Sequence, residues 1–159
     1  MNYKPTKQFK VMCLRESPGN SSSHFCDTAE KVYNYWKTVI ETPTFNTDQE
    51  NFVVLCLNTR KRVTGWFHVA MGTLDQVIVH AREVFRGAIV NNSAAIVLIH
   101  NHPSGDPSPS EPDIRVTRDL KKSGEILRIE VVDHVIIGEQ NPSVSPRGYC
   151  SLRELGYFY

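Results

Sequence analysis

AAIVLIHNHPSGDPSPSEPD, residues 94–113, is the stretch on which the reading of this chain turns. Its opening run, AAIVLI at 94–99, is short and unbroken, so it reads as a strand buried on both faces rather than a helix of ordinary length. The next residues, HNHPSGDPSPSEPD at 100–113, hold two histidines, carboxylates and several prolines but no large apolar side chain. Such a segment is a loop and not core. Ser110 then offers its hydroxyl as an N-cap, Pro112 is tolerated in a first helical turn, and Ile114, Thr117, Leu120, Gly124 and Leu127 continue one helical face. Strand, loop and helix in this order are one step of a layered α/β fold.

The flanking sequence repeats that alternation. A strand is expected at 8–15 (QFKVMCLR), followed by a Ser-rich connection, SPGNSSS, at 17–23. From Asp27 as N-cap, Ala29, Val32, Tyr33, Trp36, Val39 and Ile40 recur at helical spacing, and that helix ends before Pro43. FVVLCL at 52–57 reads as a second strand buried on both faces, with a partner at about 62–70 after the turn NTRK. Ala81, Val84, Phe85, Ala88 and Ile89 mark a helix stopped by Asn91-Asn92, and a last strand is expected over 128–137. The fold class is α/β, with helices between strands in three α/β/α layers.

Composition narrows the function. With 18 Lys plus Arg against 17 Asp plus Glu, the 159-residue chain carries a formal charge of +1. It has no global electrostatic footprint for phosphate backbones, although Arg60, Lys61 and Arg62 form a local basic patch. A chain of this length buries roughly two-thirds of its unfolded surface, so stability requires neither disulfides nor a structural metal. Cys13, Cys26, Cys56 and Cys150 show no C-x-x-C pair and read as thiols, Cys56 as core packing. His24 and Cys26 have no matching second half for a zinc site and read as part of a polar loop. The apolar runs are about a third of a membrane span and no secretory leader is seen, so the expected location is the cytoplasm.

His100 and His102 are two residues apart, so a strand that continues past Ile99 puts both imidazoles on the same side. Asp113, in the first turn of the following helix, returns toward that strand end and completes a set suited to zinc, with a fourth position open for water. Bound zinc would bring the water's pKa toward about 7 and polarise a scissile carbonyl. Hydrolysis also needs an acid/base and an oxyanion donor. Ser110 is the candidate donor. Glu50 is the candidate base, provided strands 52–57 and 94–99 are antiparallel, with Glu41, Glu83 and Glu111 as rival carboxylates. Each feature has an ordinary reading: H-x-H as surface polarity, Ser110 as a cap, Asp113 as a first-turn acid complementing the helix dipole. Asp133 and His134 fall on opposite faces of a strand, where His134 either orients a metal ligand or is a satisfied core histidine. His68 and His80 are assigned no role.

His100, His102, Ser110 and Asp113 match the H-x-H-x(7)-S-x(2)-D core of the JAMM (MPN) metalloproteases, and HNHPSGDPSPSEPD resembles the RadC-like bacterial branch of that superfamily. Gly72-Thr73, Ala81-Arg82-Glu83-Val84-Phe85, Ala94-Ala95-Ile96 and Asp133-His134-Val135-Ile136-Ile137-Gly138 fall in the same order, so the resemblance covers about 45–150. It implies a JAMM (MPN, cytidine-deaminase-like) domain with a mixed sheet at 45–159, preceded by an extension at 1–44 with one amphipathic helix. It also implies Zn2+ held by His100, His102 and Asp113, Glu50 as acid/base, Ser110 at the oxyanion, and a peptide or protein as substrate. RadC proteins carry a helix-hairpin-helix segment associated with DNA, a pattern that residues 1–44 do not show. The alternative is a non-catalytic metal-binding module of DNA repair or mobile-element DNA processing, with DNA as a partner that the charge does not support. A zinc nucleobase deaminase would need P-C-x-x-C, which the sequence lacks.

Overall fold

The apolar run at 52–57 lies within a seven-residue strand, β1 (Asn51–Leu57), in which every residue is buried. The run at 94–99 lies within β3 (Ala95–Asn101), buried along its whole length. A strand with no wet face must have a layer on each side. Val53, Leu55, Leu57, Val97 and Ile99 pack with Val32, Trp36 and Ile40, whereas Val54, Cys56, Ile96 and Leu98 pack with Val84, Phe85, Ala88 and Leu120. The period of two along each strand thus sorts its residues between two helical layers. The computed structural model describes residues 24–72, 79–143 and 145–158. The strand expected at 8–15, Cys13, the 17–23 connection and Thr73 lie outside the described residues.

Five strands form one mixed sheet in the order β2-β1-β3-β4-β5, with β2 at Val63–Met71, β4 at Glu130–Ile137 and β5 at Tyr149–Ser151. β1 is antiparallel to both β2 and β3, β3 is parallel to β4, and β4 is antiparallel to β5. On one face lie α1 (Ala29–Tyr35) and a π-helical turn (Trp36–Ile40); the other carries α2 (Ala81–Val90) and α3 (Glu111–Leu127). The three layers are those expected. α3 is the crossover between parallel β3 and β4. Gly124 lets its last turn lie on the start of β4, since a Cβ there would be under 3.0 Å from the Ile129 carbonyl.

Three local readings change. The cap of α1 is Thr28, whose Oγ1 accepts from Lys31 N at 3.3 Å, while Asp27 pairs with Lys31 Nζ at 2.7 Å. Cys26 is not in a polar loop. Cys26 N donates to Lys61 O and Val63 N donates to His24 O, so this segment lies beside the start of β2 and its thiol enters the core. Burial pushes that thiol up to about 12. The strand expected from 128 begins at Glu130, because Arg128 ends α3 in a left-handed conformation with φ of 57°.

Candidate metal centre

The pleat of β3 persists through Asn101, and His102 N donates to Ile137 O at 2.9 Å, so the chain stays extended across H-N-H. The two rings meet as a result: His100 Nε2 and His102 Nε2 are 3.0 Å apart. Asp113 arrives from α3 in a capping box, with Ser110 Oγ accepting from Asp113 N at 3.3 Å and Ser110 N donating to Asp113 Oδ2 at 2.7 Å. Ser110 Oγ also donates to Oδ2, at 2.5 Å. Oδ2 is therefore engaged twice, and it is Oδ1 that faces His100 Nε2, at 3.2 Å. β1 and β3 are antiparallel with Phe52 opposite His100, which puts Glu50 at the end of the sheet where the histidines stand. Its Oε1 is 3.8 Å from His100 Nε2.

The hydrogen bonds fix where the protons are. A carbonyl oxygen can only accept. His102 Nδ1 must donate to Asp106 O at 2.8 Å, which leaves Nε2 bare in the neutral ring. Thr117 has one hydroxyl proton and gives it to Asp113 O at 2.5 Å, so His134 Nδ1 donates to Thr117 Oγ1 at 2.6 Å. His134 is wholly buried, and desolvation drives its pKa well below that of an ordinary histidine, so its ring is neutral. Its Nε2 accepts from His100 Nδ1 at 2.8 Å, which leaves His100 Nε2 without a hydrogen in the neutral ring.

Four lone-pair atoms, His100 Nε2, His102 Nε2, one Asp113 oxygen and one Glu50 oxygen, thus converge with no donor hydrogen among the neutral groups. One ligand atom from each lies within 4.8 Å of every other, a cluster that could hold a metal ion. Two nitrogens on one tetrahedral zinc at about 2.0–2.1 Å stand about 3.3 Å apart, close to the observed spacing. Burial raises Asp113, but the His100 and His102 imidazoles that face it and the Ser110 hydroxyl overcome that and hold the carboxyl well below the usual range. For His102 burial works downward, yet Asp113 and the Asp106 carbonyl raise it. Glu50 is raised, chiefly by desolvation, with the two imidazoles pulling the other way.

Glu50, His100, His102 and Asp113 are together, and Ser110 joins them through Asp113 Oδ2. The rivals stand elsewhere: Glu41 binds Lys37 Nζ and Trp36 Nε1, Glu83 binds Arg82, and Glu111 is not in the cluster. His68 packs between the rings of Phe45 and Trp66, and His80 caps α2 with its backbone only.

Two participants escape a reading of the sequence. Thr117 reads there only as a helix-face residue, although its hydroxyl ties His134 to α3. Asn101 sits between the two histidines and points to the other face, where its Oδ1 accepts from Asn51 N and Nδ2, and its Nδ2 donates to Thr47 O and Gln49 O. Strand alternation in H-N-H could have signalled it: a buried amide opposite two imidazoles needs four partners of its own.

A family model described as a RadC-like JAB domain matches residues 26–157. Among curated proteins, a UPF0758 protein of Clostridium kluyveri is 58% identical over 90 residues, 57% of this chain and 40% of that protein. One of Desulfitobacterium hafniense is 50% identical over 109 residues, 69% of this chain and 45% of its own. Another, of Thermotoga maritima, is 42% identical over 130 residues, 82% of this chain and 53% of its own. The chain spans about half the length of the curated relatives it matches. No helix among the described residues is long and apolar enough to cross a membrane.

Proposed function

The chain belongs to the RadC-like JAB domain family, and on that premise we propose that it is a zinc-dependent hydrolase of amide or isopeptide bonds acting on a peptide or protein. The observation that carries this reading is the convergence of bare His100 Nε2, bare His102 Nε2 and the uncapped Oδ1 of Asp113, a donor set whose chemistry suits zinc. Those three atoms are the proposed ligands. Once bound, zinc supplies Lewis acidity and lowers the pKa of a coordinated water to about 7.

The chain's own residues do the rest. Glu50 is the proton carrier, because its oxygen stands back from His100 at 3.8 Å while Asp113 Oδ1 is at 3.2 Å. Desolvation raises its carboxyl above the ordinary value, which suits a group that takes a proton from water and delivers it to the leaving amine. Ser110 carries the donor for the developing oxyanion. Its hydroxyl turns from Asp113 Oδ2 to do so, and its backbone N–H keeps that oxygen capped meanwhile. A reducing, cytoplasmic setting for this chemistry is proposed from the sequence, whose four cysteines show no C-x-x-C pair.

The test is metal content by elemental analysis of protein purified without a metal-binding tag. Roughly one zinc per chain is expected from the tetrahedral donor set, and loss of it in the His100→Ala, His102→Ala double variant. Wild type that holds no zinc and takes up none when it is added would overturn the reading.

A further inference from the structure

We infer that His134 and Thr117 are positioning residues for the metal centre: together they lock His100 in the tautomer whose Nε2 is bare. This rests on the proposed zinc reading. The observation behind it is a buried, unbranched chain of hydrogen bonds that begins at the backbone of one proposed ligand and ends on the ring of another. Asp113 O accepts from Thr117 Oγ1, Thr117 Oγ1 accepts from His134 Nδ1, and His134 Nε2 accepts from His100 Nδ1, at 2.5, 2.6 and 2.8 Å. The carbonyl acceptor and the single hydroxyl proton set the first two directions, and the third follows in a His134 ring that carries one proton.

Placement supports the same conclusion. His134, His100 and Thr117 have at most 1% exposure, so their hydrogen bonds are shielded from bulk solvent. Among the described residues no buried side-chain polar atom lacks a partner, so the chain is complete as it stands. A histidine that only filled core space would need its two nitrogens satisfied and nothing more. Here the satisfying partners are a ligand ring and the helical turn that carries the second ligand, and both are held in one geometry. Metal-binding histidines are ordinarily fixed in this way by a partner on the far nitrogen, and loss of that partner weakens metal binding by about 10–100-fold.

Two variants of matched size separate orientation from packing. His134→Gln keeps an acceptor and a donor, whereas His134→Met keeps the volume and neither hydrogen bond. Zinc affinity is measured by competition with a chromophoric chelator, and the tautomer of His100 by nitrogen NMR of metal-free protein with labelled histidine. His134→Met is expected to bind zinc about 10–100-fold more weakly and to lose the preference for Nδ1–H at His100, with His134→Gln restoring most of both. Thr117→Val, which removes only the hydroxyl, is expected to act in the same direction and stands in if His134→Met does not fold. Wild-type affinity and an unchanged His100 tautomer in both His134→Met and Thr117→Val would overturn the inference. If wild type binds no zinc, the reading of the site fails, yet the tautomer measurement still decides the inference for the metal-free ring.

Discussion

Asn101→Ala is the perturbation that best separates the sheet's two duties at this site, holding the histidines and holding Glu50. The Asn101 amide uses its whole capacity: Oδ1 accepts at 2.9 and 3.1 Å from Asn51, and Nδ2 donates at 3.1 and 3.0 Å to Thr47 O and Gln49 O. Truncation does not orphan all of these partners. Asn51 Nδ2 keeps Asn46 O and Gln49 O, and Thr47 is exposed enough for water to take over. Asn51 N is left buried without its acceptor, which costs about 1–3 kcal/mol, and the two carbonyls add about 0.5–1 kcal/mol between them. For a domain of this size a loss near 3 kcal/mol lowers Tm by roughly 6–12 °C. Calorimetry of the metal-free protein reads that change. Zinc stoichiometry is expected to stay at wild type, because His100 and His102 are carried by β3 itself, while hydrolysis falls with the turn that aims Glu50. A Tm change below about 2 °C would refute the energetic argument. Loss of zinc would show that Asn101 holds the ligands rather than the base.

Glu50→Gln is expected to retain zinc and to lower turnover about 10²–10⁴-fold, measured on isopeptide and peptide panels; loss of the metal would instead make Glu50 a ligand. Gly138→Ala places a methyl under 3.0 Å from Gly105 O and from Pro107 Cδ and N, where the site loop lies on the end of β4. The expected cost is about 1–3 kcal/mol in denaturant unfolding, with weaker zinc binding as His102 and Asp113 are displaced. Burial raises the Asp133 carboxyl above its ordinary 3.8, against hydrogen bonds from Ser151 and the backbone. Between 3.8 and the folded value the folded chain holds a proton that the unfolded chain has released, so this group's contribution is present below 3.8 and is lost as pH rises through the folded value. Urea melts of wild type and Asp133→Asn should therefore show the variant gaining on wild type from pH 4 to pH 7, by about 1.4 kcal/mol for each tenfold by which folding weakens the acid. A constant difference would contradict the assignment.

Much of the fold was legible because both determinants were local. Two all-apolar runs could not be one-faced strands, so helices on both sides followed, and Ser110 and Pro112 placed the start of α3 where it is. The convergence of the candidate residues was legible for the same reason: a period of two carries His100 and His102 to one side, and a capping box carries Asp113 back. Thr28 and Cys26 were not. Asp27 and Thr28 are both capping residue types side by side, and residue type alone does not choose which of them meets Lys31 N, whereas Cys26 is drawn in by backbone bonds of its segment to 61–63, far along the chain.

What lay beyond the sequence is a matter of register. Ile96 pairs with Val131, but Val97 pairs with Asp133, so Val132 is skipped. An unbroken ladder would set Asp133 beside Leu98, on the face of the histidines, and send His134 to the opposite layer. The skip exchanges them. Asp133 turns to Ser151 Oγ and Arg153 N in the β5 turn, and His134 turns to His100 and Thr117. Alternation alone says that Asp133 and His134 face opposite ways; a single extra residue decides which of them meets His100. In that place the Asp133 carboxylate could only accept, with no hydrogen to give to Thr117. His134 accepts from His100 Nδ1 on one nitrogen and donates to Thr117 Oγ1 from the other, so a single ring joins the strand that carries His100 to the helix that carries Asp113.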